Sequence, residues 1–310
     1  MACDRGGRIG GRWERVKRWD PPFWFGSREF SSTDVTLITD TVQRFGGLGF
    51  AEVVATVCEN LPWKAPNGQL KIDACRQLLL QWEAVGLVRL PARQSARHGT
   101  RAERVGTAPP SPVVHAALRD IQPISVEPVL PEEGAAWNAM ITTYHPLGFR
   151  RAFGAQQKYW VRTAAGGVPQ VLGGLLFAAA AKALGVRDVW IGWGSDERQR
   201  YRHRIVANSR YLLLPDVVVP HLASHVLGLA VHRLPHDWVR RYGFAPVLSE
   251  TFVEQPWAGT CYRAANWRYL GETAGRGRQD REHARAFTVK AVWVYPLARN
   301  WRAALVAPDA

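Results

Sequence analysis

The sequence predicts an α+β protein: a small helical unit at the amino end, followed by a larger domain of mixed strands and helices. Two observations predict it. Apolar residues recur at helical spacing three times between residues 31 and 85, whereas beyond residue 156 short apolar or alternating runs bounded by glycine, proline and asparagine dominate. Within that second region one long amphipathic stretch, 222–234, separates two strand-like runs, which indicates a single strand-helix-strand unit among otherwise antiparallel strands rather than a doubly wound sheet. At 310 residues and 47% hydrophobic composition, the chain supports one sizeable core and a smaller one.

Residues 1–27 are rich in glycine and arginine and lack any period, which reads as a flexible basic tail ending in an aromatic anchor, Phe23-Trp24-Phe25. A first helix follows, with Ser32 or Thr33 as its cap and Val35, Ile38, Val42 and Phe45 on one face before Gly46-Gly47 breaks it. The second helix, 50–60, presents Phe50, Val53, Val54 and Val57, and the third, 71–84, turns Ile72, Cys75, Leu79 and Trp82 inward and ends at Gly86. Residues 87–91 read as a short strand. Three helices and a strand match a winged helix over 28–92, in which the third helix enters the major groove. Lys71, Arg76 and Gln77 then meet bases or phosphate, with Arg89 beside them on the backbone.

Repeated prolines and weak periodicity make 93–131 a linker, although Ile121, Ile124, Val126 and Val129 are enough for one edge strand of the next domain. The second domain, 132–310, opens with a helix near Trp137 and a hairpin of 158–162 with 170–178 around Ala165-Gly166-Gly167. A strand at 211–214, the helix 222–234, a short helical piece at 237–242, a strand at 246–253 and a last strand at 289–295 complete it.

Lys and Arg number 40 against 26 Asp and Glu, a net charge of +14 and a pI near 10.2. Arginine forks suit phosphate, so DNA is the expected partner. The four cysteines, Cys3, Cys58, Cys75 and Cys261, form no C-x-x-C pair, so neither a metal site nor a disulfide framework is indicated and a reducing cytoplasm fits. The basic start has no apolar segment behind it, and the longest apolar run, 171–184, is interrupted by Gly173, Gly174 and Lys182, so no membrane partner is expected.

The densest chemistry lies in 259–278. Thr260 reads as the cap of a short helix, placing Cys261 at its first position, where the dipole and Arg263 favour the thiolate; the other reading of Cys261 is core packing. Asn266 closes that helix in a left-handed conformation, and Arg276 and Arg278 alternate with glycine to meet phosphate. His225, one turn into the 222–234 helix, is either a base or a satisfied core histidine. Glu250, in an apolar strand, either pairs with an arginine or serves a site. Cys261, Tyr262 and His225 are expected to converge on one pocket at the strand ends, with Cys261 alkylated ahead of Cys58 and Cys75.

Several motifs together resemble the DruA family: Tyr144-His145-Pro146-Leu147-Gly148, Trp190-Ile191-Gly192-Trp193, Asn208-Ser209-Arg210, Leu222-Ala223-Ser224-His225-Val226-Leu227, Glu250-Thr251-Phe252-Val253 and the segment from Gly259 to Trp267. That family includes a component of the Druantia anti-phage system and relatives associated with transposases. The second domain also resembles the GNAT acyltransferase fold, in particular its Mom-type members that modify phage DNA. The resemblance implies a GNAT-like mixed sheet, Tyr262 in the place of a general acid, and other defence or transposition proteins as partners. It departs from that pattern where acetyl-CoA pyrophosphate is held, since Val219-Pro220-His221-Leu222-Ala223-Ser224-His225 has no glycine to admit a phosphate, and the cofactor stays unassigned. Three readings remain: a DNA-acting enzyme using Cys261 or Tyr262 with His225 and Glu250, a non-catalytic DNA-binding recruiter, and a transposase-like strand-processing protein.

Overall fold

Ser31 sets where helix begins in the first unit. Its hydroxyl accepts the Asp34 N–H at 3.2 Å while the Asp34 carboxylate accepts the Ser31 N–H at 3.1 Å, a reciprocal cap worth about 1 kcal/mol. The cap is thus one residue ahead of the Ser32 or Thr33 expected. The structure, a computed structural model, describes residues 18–61, 63–65, 69–92, 106–149, 154–273 and 288–306. The chain divides into two units, 1–96 and 97–310.

In the first unit a hairpin of β1 (Phe23–Phe25) and β2 (Arg28–Phe30) precedes α1 (Ser32–Arg44), α2 (Phe50–Asn60) and α3 (Ile72–Val85). Ile38, Val42, Val53, Val54, Val57, Cys75, Leu79 and Trp82 are buried between the helices, as their spacing predicts, and Leu78 is buried with them. Phe23 and Phe25 of the aromatic anchor pack in a cluster, while Trp24 between them is exposed. Phe23 stacks on Phe30 with centroids 5.2 Å apart, Phe30 meets Trp63 edge-on at 5.1 Å, and Trp19 reaches Trp82 at 6.2 Å. α3 ends on Gly86, whose φ of 82° is a left-handed cap that glycine takes without strain. Residues 87–91 form no strand. The Leu90 N–H donates instead to the Glu83 carboxylate at 3.1 Å, tying the segment back to α3. Three packed helices are therefore present, without the expected wing strand at that place.

The second unit comprises β3 (Val114–His115), β4 (Ile124–Pro128), α4 (Gly134–Tyr144), β5 (Gln156–Thr163), β6 (Gln170–Ala179), α5 (Gly185–Ile191), α6 (Ser195–Tyr201), β7 (Ile205–Leu213), β8 (Val217–Val218), α7 (Leu222–Tyr242), β9 (Leu248–Glu254), α8 (Thr260–Ala264), β10 (Arg268–Glu272), β11 (Lys290–Pro296) and α9 (Trp301–Ala304). Seven strands form one sheet in the order β10-β11-β9-β7-β6-β5-β4. Every neighbouring pair is antiparallel except β7 and β9. That parallel pair needs a crossover, and α7 supplies it. The mixed α+β class and the single strand-helix-strand unit are thus as expected. Ile124 and Val126 do build the edge strand β4, so this part of the stretch read as linker belongs to the sheet. α7 runs on through Pro235 as one helix of 21 residues, where the sequence suggested two pieces.

Close approach of helix to sheet depends on one glycine. A Cβ at Gly174 would lie 2.7 Å from the Trp137 indole nitrogen and 2.8 Å from the Met140 methyl, so only glycine lets α4 sit flat on β6. On α7, Asp237 accepts from the Tyr159 hydroxyl at 3.0 Å and from Arg233 at 2.7 Å, holding that helix to β5. Among the described residues no helix is long and apolar enough to cross a membrane.

Candidate functional site

The site follows from where β7 and β9 stop pairing. They run in register from Ile205 opposite Leu248 to Asn208 opposite Thr251, and no further. At that point β7 bulges, Ser209 dropping out of register with β6, which re-aims the side chains around it. α8 lies over the same place because Gly259 is its cap in a left-handed conformation, φ 68°. A Cβ there would fall 2.7 Å from the indole nitrogen of Trp293, so glycine is required twice over.

Tyr262 projects from α8 onto the last paired residues. Its hydroxyl donates to Asn208 Oδ1 at 2.8 Å and lies 3.4 Å from the Thr251 hydroxyl, which itself bonds the Asn208 carbonyl at 3.0 Å. The Asn208 amide nitrogen donates to the carbonyls of Leu176 and Arg210, which fixes the side chain so that its oxygen faces Tyr262. Burial pushes the Tyr262 phenol well above its ordinary range and keeps it protonated. Tyr211 stands beside it. Burial, with Cys261 and Tyr262 as neighbours, pushes the Tyr211 phenol up as well, and its hydroxyl donates to the Ala223 carbonyl in the first turn of α7 at 2.8 Å.

Cys261 does not sit as the sequence argument placed it. Gly259 is the cap, Thr260 takes the first helical position, and the helix has five residues. Burial outweighs the nearby amides and pushes the thiol up, away from the thiolate. It is still the most accessible of the described cysteines, being half-buried, while Cys58 and Cys75 are fully buried. Cys75, whose thiol donates to the Val54 carbonyl at 3.6 Å, is pushed up further by the neighbouring Cys58 and by burial. We expect iodoacetamide to label Cys261 ahead of Cys58 and Cys75 in the folded protein, through access, with a rate that climbs with pH above neutrality; mass spectrometry showing Cys58 or Cys75 labelled ahead of Cys261 would refute the packing described.

The structure brings Cys261 and Tyr262 together and, through Tyr211, joins them to the amino end of α7. His225 is on that helix, but its Nε2 lies 3.4 Å from the Gln122 amide. Glu250 faces away. Thr251 meets Tyr262 on one face of β9, so its neighbour Glu250 points to the other. There its carboxylate holds Arg187 at 2.8 Å and accepts the Ala181 N–H at 2.7 Å, both charges fully buried. Arg187 also binds Asp188 at 2.7 Å, and Asp188 binds Arg198 at 3.3 Å. Of the two roles left open for Glu250, the geometry is that of the arginine pair.

Two other motifs meet nearby. Arg210 donates to the Gly148 carbonyl at 2.8 Å, and burial together with that guanidinium pushes His145 down to about 4. Its Nδ1 accepts the Leu147 N–H at 3.1 Å, a bond available to the neutral ring. Sequence reasoning passed over Tyr211, Asn208 and Thr251 as reacting or positioning groups.

In the first unit, Lys71 is the cap residue of α3 and its ammonium bonds the Ser27 hydroxyl at 3.2 Å. Arg76 and Gln77 are exposed on α3, Arg76 lying 3.8 Å from Asp73, and Arg89 is exposed beyond it. Arg276 and Arg278 fall outside the described residues. Over residues 18–92 acidic side chains are at least as numerous as basic ones, so the surplus positive charge resides elsewhere in the chain. Among the described residues no three His, Cys, Asp or Glu side chains are gathered for a metal. The stretch ahead of α7 does not fit an acetyl-CoA pyrophosphate. Pro220 has no N–H, the Leu222 N–H is spent on Val219, and His221 takes a positive φ of 67° with a side chain where a cradle needs bare backbone.

Among curated proteins none matches the chain in sequence. Solved structures similar to it include the spermidine/spermine N-acetyltransferase SpeG from Vibrio cholerae, at 9% identity and TM-score 0.36 over 56% of this chain and 92% of that one. Nourseothricin acetyltransferase is similar at 11% identity and TM-score 0.33, over 56% of this chain and 99% of that one. A Chromobacterium violaceum protein assigned to the acetyltransferases of the GNAT family is similar at 13% identity and TM-score 0.34, over 67% of this chain and 98% of that one. The sequence model of a family described as Druantia protein DruA matches residues 107–290, more than half of the chain and all of the strands from β3 to β10, and the chain belongs to the DruA family.

Proposed function

We propose that this DruA-family protein acts on DNA in anti-phage defence: residues 28–92 dock on duplex DNA, and the second unit presents Tyr262, with Cys261 beside it, to a DNA strand. The observation that carries the reading is the Tyr262 hydroxyl seated on Asn208 and Thr251 where β7 and β9 part. A phenol kept protonated there can turn its proton from Asn208 Oδ1 to an oxygen that gains negative charge, as a hydrogen-bond donor rather than as an acid. The +14 charge supports a polyanionic partner. Since residues 18–92 carry none of the surplus, the second unit shares the contact. A non-catalytic DNA-binding recruiter is the second reading, favoured by the burial of Glu250 in an ion pair and by the bond from Gln122 to His225.

Fluorescence anisotropy of the full chain on duplex DNA across a salt series tests the docking. Affinity is expected to fall as salt rises, and Arg76→Ala and Arg89→Ala each to shallow the log-log slope by about 0.9, one phosphate contact apiece. If Lys71→Ala combined with Arg76→Ala leaves affinity unchanged, α3 is not the element that contacts DNA.

A further inference from the structure

The strand register places more than Tyr262 on one line. Asn208 pairs with Thr251, Thr251 with Trp293 and Trp293 with Tyr269, so one row crosses β7, β9, β11 and β10. Partners opposite one another share a face. The row therefore runs from the polar pair under Tyr262 out to aromatic side chains at the sheet edge, and at about 4.8 Å per strand Tyr269 stands about 14 Å from Asn208. Resting on the DNA reading above, we propose that this outer half of the row is a stacking platform for bases of a single-stranded nucleic acid that leads into the Tyr262 site.

The aromatic groups there are not all core. Tyr269 is 49% exposed although its ring packs 5.4 Å from that of Trp293, and Trp257, two residues before the Gly259 that covers Trp293, is 58% exposed. Arg263, exposed on α8, holds its guanidinium 6.0 Å from the Trp293 ring and forms no ion pair among the described residues. Exposed ring faces beside a guanidinium that has no ion pair among the described residues match what unpaired bases and their phosphates require, since every base has a π-face and every link a negative charge. An apolar peptide would leave Arg263 without a counterpart.

Addition of a further protein strand to β10 is the competing use of this edge, and the geometry opposes it. The register slips between Tyr269 and Gly271, and Gly271 adopts φ 130°. A bulge of that kind twists an edge out of line for another strand. What β10 offers is its face.

Binding of the full chain to a short labelled oligothymidylate, read by anisotropy and by quenching of tryptophan fluorescence, tests the platform. Tyr269→Ala is expected to weaken that binding about tenfold and Tyr269→Phe to leave it within about twofold, because the ring face and not the hydroxyl does the stacking. Trp257→Ala, in a loop outside the sheet, should also weaken it and guards against a folding defect at β10. Affinity for duplex DNA should stay within about twofold in all three, since paired bases offer no free face. Should duplex bind and oligothymidylate not, or Tyr269→Ala bind oligothymidylate as wild type does, or lose both forms equally, the platform is refuted while DNA docking stands. Failure of wild type to bind either form refutes both.

Discussion

Glu250→Ala is expected to lower the melting temperature by about 6–20 °C, the consequence of a loss of about 3–5 kcal/mol when a buried ion pair is left with one partner. Arg187 is fully buried and makes its closest charged contacts with Glu250 at 2.8 Å and Asp188 at 2.7 Å. Without Glu250 the guanidinium keeps one carboxylate and the Ala181 carbonyl, and the Ala181 N–H loses its acceptor. The guanidinium cannot reach water without opening the packing of α5 on the sheet. Circular dichroism melts of wild type and variant measure the shift. A variant that melts within a degree or two of wild type and yet loses function would instead make Glu250 a chemical participant.

That assignment was only half legible in the sequence. An acidic residue in an apolar strand announces that it must be paired or used, but Arg187 lies 63 positions away and no local pattern points to it. The same limit hid Asn208 and Thr251. Both are neutral residues inside strands, and their meeting with Tyr262 depends on the β7 to β9 register, which periodicity along one strand does not encode. Local signals fared better. The second helix, the β5-β6 hairpin, the left-handed Asn266 with φ 61° and the start of the helix between the parallel strands are all where spacing and turn residues put them. Where local signals failed, a competing contact explains it: Glu83 captures the Leu90 amide and with it the segment read as a wing strand, and burial overrides the helix terminus at Cys261.

The second large effect concerns Tyr262. Tyr262→Phe removes one hydroxyl from a buried set of three, at a cost of about 1 kcal/mol and about 2–4 °C in melting temperature. The ring keeps its packing against Trp267, 5.1 Å away, and the Asn208 amide keeps its two carbonyl acceptors, so the fold and the surfaces proposed to meet DNA remain. What disappears is the phenol hydroxyl held on Asn208 where β7 and β9 part. The direct measurement is a phage challenge of cells carrying the chain with its neighbouring genes, run for wild type and Tyr262→Phe, alongside DNA affinity of the two purified proteins. The variant is expected to bind DNA within about twofold of wild type and to protect no better than deletion of the chain; full protection by Tyr262→Phe would overturn the role given to its hydroxyl.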